Sequence, residues 1–395
     1  MLEPLCYCSH IEVSGDVYTT EGFKIEGNLQ PFRLHDTYAA DITFSPESPD
    51  TEIEVPQLKH FQPACLLPEK IQASLGQTLW LYGEVDANQN CAQLAEECAI
   101  ALLAGTSLNL TKILNLTTIS QEKLLGSLLF EYQAIEPNEP DNLAKQCQIL
   151  ISLNNSGANT AQLATEAYDW LLNLLCCHHK IQYVYQQSRV RYPQARKLYS
   201  NLEQQMGDIP KLTTNTQKKL KTLNNLLVQI PQTSLDYARC LRDLKAHLTA
   251  IETNSTNYRL YQEKINQIGE SPQSWQNFLK NCHKRQTQIK TDINYLTPGQ
   301  ELFGQMVETI RGIVEIEQAE SDRSLERTIQ ILGAGLGTGG IVASAISSHI
   351  ETPITFKPTW KWNTLHPAFN TLFWSIIIAF GAAGATWLLT KKKEQ

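Results

Sequence analysis

The chain has 395 residues, 42% of them hydrophobic, with ten cysteines and a formal net charge of −7. This composition excludes a collagenous or disordered chain, and the length exceeds one small core, so two or three domains are expected. Cysteines this sparse do not make a disulfide scaffold, and the opening Met1-Leu-Glu-Pro4 lacks a leader pattern, so free thiols in a reducing cytosol are expected.

The total charge hides a split. Residues 1–157 carry 21 acidic and 7 basic side chains, and residues 158–395 carry 19 and 26. Two parts of opposite field share one chain. Residues 1–157 read as an acidic α+β cytoplasmic domain. β-formers cluster or alternate over 11–13, 32–44, 78–85, 129–135 and 146–153, and 91–103 has helical spacing through Leu94, Cys98, Ala101 and Leu102.

Residues 158–327 read as a long-helix bundle or stalk, because apolar positions recur at spacings of three and four. The runs are Leu220, Leu223, Leu227, Ile230; then Tyr237, Leu241, Leu244, Leu248, Ile251; then Tyr258, Tyr261, Ile265, Ile268. A fourth, from Trp275 through Leu279, Cys282, Ile289 and Ile293 to Leu296, has Gln286 as its one polar intruder. Pro231 and Pro298-Gly299 are expected to break the pattern into long antiparallel helices. The last helix, from about Leu302, is expected to run on through Leu325 and Ile329, since 313–332 holds neither Pro nor Gly.

Residues 328–350 and 368–390 are the expected transmembrane helices, joined by an external loop at 351–367 and followed by a basic cytoplasmic tail at 391–395. The stretch 369–390 has no ionisable side chain, and at 1.5 Å per residue it covers roughly 33 Å, enough for a bilayer core. Trp374 and Trp387 fall where interfacial aromatics anchor a span. In the first span Gly333 with Gly337, and Gly335 with Gly339, form overlapping GxxxG pairs suited to close packing in lipid. Arg323 and Arg327 before the first span, and Lys391, Lys392 and Lys393 after the second, place both ends in the cytoplasm by the positive-inside tendency. Beside anionic lipid each of those lysines adds about 1 kcal/mol of anchoring. The expected location is the inner or cell membrane, multi-pass, with the lipid bilayer as partner.

Gly335, Gly337 and Gly340 also fit G-x-G-x-x-G, but a second apolar span follows where a dinucleotide fold needs further strands. Cys176-Cys177-His178-His179 has the residue types of a zinc site without a second pair at matching spacing, so small buried thiols on an amphipathic helix are the reading preferred. Cys6, Cys8 and His10 are treated the same way. Arg189, Arg191, Arg196 and Lys197, interleaved with tyrosines, make a solvated face more readily than a nucleic-acid site. Glu315, Glu317, Glu320 and Asp322 precede the first span, where Glu317 and Glu320 would form acidic rings attracting cations in a symmetric oligomer. No catalytic signature is present, so neither an enzyme, a cofactor nor a metal site is expected.

An α+β domain, long helices, a stalk entering the first of two C-terminal spans, and a terminal lysine cluster together resemble the CorA family of divalent-cation channels. The resemblance implies a homo-oligomer whose first span lines the axis, with Thr338, Ser344 and Ser347 as polar lining candidates. The family's Gly-Met-Asn mouth is absent; Ser347-Ser-His-Ile-Glu351 stands in its place, and the permeant ion stays open. Phrases such as LWLYGEV and AYDWLLNLLCC are similar to uncharacterised cyanobacterial proteins. The expected function is an oligomeric pore or signal-gated membrane effector with a cytoplasmic sensor. The alternative is a membrane-tethered interaction scaffold that moves no ion.

Overall fold

The computed structural model describes residues 3–4, 11–12, 24–34, 37–48, 50–61, 66–68, 70–112, 122–209 and 216–319. They divide into two compact units, the first Met1–Pro193 with Arg242–Asn294 and the second Gln194–Leu241 with Tyr295–Gln395.

The first unit holds two sheets. One pairs β3 (Ile25–Leu34) with β4 (Thr37–Pro46) along their whole length, and β1 (Glu3–Pro4) and β2 (Ile11–Glu12) lie on the other edge of β3. The single strand expected over 32–44 is therefore two, turning back between Leu34 and Thr37. The connecting pair, His35-Asp36, carries none of the Asn-Gly or Gly-X signals that mark two-residue hairpins, and it lies outside the described residues.

The second sheet has the order β5-β9-β8-β6, from β5 (Gln77–Glu84), β9 (Gln146–Asn154), β8 (Ser127–Ile135) and β6 (Asn109–Lys112), with β7 (Glu122–Leu124) also on β8. β5 and β9 are parallel; β9 and β8 are antiparallel. On one face Tyr132, Ala134, Ile149, Ile151 and Leu153 pack with Leu58 of a 3-10 helix and with Ala95, Ala99 and Leu102 of α1 (Cys91–Leu102), which Asn90 caps by accepting from the Gln93 N–H. Burying each of the leucine and isoleucine side chains among them contributes about 1.5–3 kcal/mol. On the other face Leu129 and Leu150 meet Leu171, Leu174, Cys177, Tyr258, Ile265 and Trp275 from the helices.

Those helices are α2 (Thr160–Asp208), α3 (Thr216–Ile268) and α4 (Gln273–Leu296). Within the first unit, contacts of Trp170 with Tyr261, His178 with Tyr258 and Arg191 with Asp243 run α2 and α3 antiparallel. The pairs His178 with Phe278 and Arg189 with Asp292 run α2 and α4 parallel. The three-and-four periodicity marks the buried stripes: Leu223, Ile230, Leu244, Ile251, Ile265, Cys282 and Ile289 are all buried. Pro231 does not break the pattern as expected; it sits inside α3. Proline removes one helical donor but leaves the flanking Leu227 and Ile230 on the buried stripe, so packing overrides the local penalty. Pro298 behaves as expected and opens α5 (Pro298–Ala319), where its missing N–H costs nothing.

An N-terminal α+β domain followed by long helices is thus the architecture. Among the described residues no helix is long and apolar enough to cross a membrane. Both expected spans lie outside the described residues.

Candidate functional site

The polar groups that sequence periodicity hides gather on the helix-facing side of the second sheet, at two places. The first is the tip of the β7–β8 hairpin. Leu124 pairs with Ser127, leaving Leu125-Gly126 as the turn, and both have positive φ, 52° and 90°. That is the conformation of a type I′ turn, which suits glycine and strains leucine. Tertiary packing holds Leu125 there. It is fully buried, its N–H donates to the Glu270 carbonyl at 2.8 Å, and its carbonyl accepts from the Thr160 hydroxyl at 2.9 Å.

Beside this tip the first turn of α4 docks on two carboxyls. The Ser274 N–H donates to Glu122 Oε2 at 3.0 Å, and the Ser274 hydroxyl donates to Glu131. The first turn of a helix has N–H groups without intrahelical partners, so Glu122 supplies a cap from another element. Burial raises the Glu131 carboxyl to about 7, the Ser274 hydrogen bond opposes that rise, and the nearby Glu122 charge adds to it. Lys123 and Glu270 form an ion pair at 3.9 Å on the more exposed rim.

The second place is the histidine pair of α2. His179 Nε2 is hydrogen-bonded to the Thr78 hydroxyl at 2.7 Å, and that hydroxyl also lies 3.4 Å from Gln148 Oε1. Gly76 lies on its Nδ1 side, where a Cβ would come within 2.7 Å, and its φ of +122° already requires glycine. Gln133, Gln146, Gln148 and Gln182 line with His179 a cavity of about 10 Å³, room for roughly one water. His178 instead stacks on Phe278 with ring centroids 4.1 Å apart. Burial pushes both imidazoles down, His179 to about 4, and His178 is depressed further by the charges of His179 and Arg285. The thiols of Cys176 and Cys177 are pushed up by burial, to about 11 and about 12. They are poor nucleophiles and poor metal ligands in that state.

The sign of the His179 effect is specific. The unfolded chain takes up a proton below the ordinary value of 6.5, and the folded chain refuses it until about 4, so acid costs stability across that window. Glu131 acts oppositely: its contribution is complete below 4.5 and is lost as pH rises through about 7. Replacing His179 with glutamine removes the first slope and keeps a hydrogen-bonding group for Thr78. Relative to the parent, the variant should gain about 2 kcal/mol of unfolding free energy on going from pH 7 to pH 5, read from urea titrations at both values.

The cationic and tyrosine-rich face proposed for 189–197 is partly spent inside the fold. Arg189 pairs with Asp292 and lies over Tyr185, and Arg191 pairs with Asp243 at 3.1 Å. No group of three or more His, Cys, Asp or Glu able to hold a metal occurs among the described residues. Glu315 pairs with Arg311 along α5, and Glu317 lies on the same helix. Glu320, Gly333, Gly335, Gly337, Gly339, Thr338, Ser344, Ser347, Trp374, Trp387, Lys391, Lys392 and Lys393 lie outside the described residues, as do Cys6, Cys8 and His10. Glu122, Glu131, Ser274, Thr78 and Gln148 escaped the sequence reading. The available signal was Glu131, the one charged residue in the largely apolar strand SLLFEYQAI.

Compared with family models, with curated proteins and with solved structures, the chain matches none.

Proposed function

We propose that this chain is an oligomeric integral membrane protein, a CorA-like pore or signal-gated membrane effector whose α+β domain is a cytoplasmic sensor. The observation that carries the reading is the stretch 369–390, free of ionisable groups and followed at once by Lys391, Lys392 and Lys393. The Gly-rich stretch 328–350 supplies a second span, and the two form a hairpin with both ends in the cytoplasm. α5 runs from Pro298 to Ala319, and the absence of Pro and Gly through residue 332 favours a continuous rod into the first span. A helix–sheet domain carrying a titratable, hydrogen-bonded contact at its helix junction suits a sensor.

The second reading is a membrane-tethered scaffold. The strongly acidic N-terminal part, with 21 acidic against 7 basic side chains, favours it as a surface for basic protein partners. Two measurements decide. The full-length protein should sediment with membranes and dissolve only in detergent; recovery in the supernatant overturns both readings. The mass of the purified complex, followed by cation flux into proteoliposomes, separates them. A higher oligomer that passes cations supports the pore, whereas a monomer without flux supports the scaffold.

A further inference from the structure

We propose that Glu122 and Glu131 form a proton-operated latch: a proton held on Glu131 keeps the first turn of α4 docked on the β7–β8 hairpin, and its loss releases that turn. The geometry is that of one residue serving two acids. Ser274 gives its backbone N–H to Glu122 and its hydroxyl to Glu131, from positions 152 and 143 residues away in the chain. Two carboxyls that meet on one residue, one of them buried, do not both ionise without repulsion.

The groups facing this pair leave the extra charge uncompensated. Across α3 stands Tyr258, whose buried hydroxyl has no hydrogen-bond partner among the described residues. Beyond Tyr258 come His178 of α2, held neutral, and Arg285 of α4, whose guanidinium lies over Tyr185 and Phe278 at 4.9 and 5.6 Å. Lys123, the nearest cation on the hairpin, is engaged with Glu270 on the rim. Glu122 as an anion caps α4 favourably, since a helix N-terminus attracts one negative charge. A second anion at Glu131 turns the contact repulsive.

The docking surface is also poised to open. Leu125 is held in its left-handed conformation by its bond to Glu270 and by contact with Gly269, where an added Cβ would meet Leu125 Cδ2 at 2.9 Å. Such conformations persist only while their surroundings enforce them. Gly269 and Glu270 lie in the short link between α3 and α4 and lead directly into the docked turn. Release of that turn loosens one side of the enforcement while Thr160 of α2 keeps the other, so the hairpin tip should respond to the helix turn. The inference does not depend on the membrane reading, because its test is local to 270–282 and involves no flux.

The test is hydrogen–deuterium exchange of the full-length chain in mild detergent from pH 5.5 to 8.5, corrected for the intrinsic pH dependence of exchange. Protection of the amides of 273–282 should fall about tenfold across neutrality in the parent. Glu131→Gln should remove the transition. Glu122→Gln, which keeps an acceptor for the Ser274 N–H, should retain it with a midpoint at least half a unit lower, because the neighbouring charge is gone. A parent without a transition, or one with the same midpoint in Glu122→Gln, overturns the proposal. If Glu131→Gln fails to fold, the midpoint comparison with Glu122→Gln decides alone.

Discussion

Replacing Asp292 with alanine should destabilise the first unit by about 3 kcal/mol, among the largest effects expected of a single side chain. Its carboxylate is 4% exposed and is shared by the Arg189 guanidinium of α2 and by Gln288, one turn earlier on α4, whose amide donates at 2.8 Å. Removing it leaves Arg189 with its charge unanswered beside two tyrosine rings, 5.2 and 5.9 Å away. The arginine is 31% exposed, so part of its charge stays solvated and the loss falls at the lower end of the range for a broken buried pair, about 3–5 kcal/mol. A double-mutant cycle with Arg189→Leu separates the causes. If the stranded cation dominates, the double variant recovers most of the loss, and urea midpoints with unchanged slopes report it. Equal losses in the single and double variants would point to Asp292 acting through Gln288 alone.

Gly299→Ala should cost the second unit about 2–4 kcal/mol, although alanine is the better helix former by about 1 kcal/mol. A Cβ at this position would clash first with the Tyr237 hydroxyl, and would also come within 2.6 Å of Tyr237 Cζ and 2.9 Å of Tyr199 Cδ2. Tyr237 is fully buried and cannot swing aside, because its hydroxyl donates to the Leu296 carbonyl at the end of α4 and its ring packs on Phe303 at 5.3 Å. Tyr237→Phe removes the hydroxyl and should cost about 1–2 kcal/mol by freeing that carbonyl. Combined with Gly299→Ala, it should cost clearly less than the sum of the two single losses. Strict additivity would show that the Tyr237 hydroxyl is not what the added methyl meets.

How much of this was legible depended on whether a feature is local. β5, β8, β9 and α1 were readable because their apolar residues repeat at the periods of strands and helices, and the buried stripes of α3 and α4 follow the heptad spacing through Leu223, Tyr258, Cys282 and Ile289. The turn after β3 was not readable, because His-Asp is a weak hairpin signal. The β7–β8 turn was hidden for a related reason. Leucine is a poor candidate for positive φ, and only the Thr160, Glu270 and Gly269 contacts make Leu125 tolerable there. Pro231 misled because a local breaking tendency is overridden by a buried stripe on either side.

The strands β5, β8 and β9, the helix α1, the buried faces of α3 and α4 and the uncharged run at 369–390 were determined by the amino-acid sequence itself, since each follows from neighbours within a few turns. Which polar groups meet was decided only by tertiary structure. Glu131 is an isolated acid in its strand until Ser274 arrives from α4, 143 positions later, and His179 is one of two adjacent imidazoles until Thr78 meets it from β5, 101 positions earlier. The charge state of such groups is set by water removed and partners supplied from elsewhere in the fold, and residue spacing along the chain does not encode either.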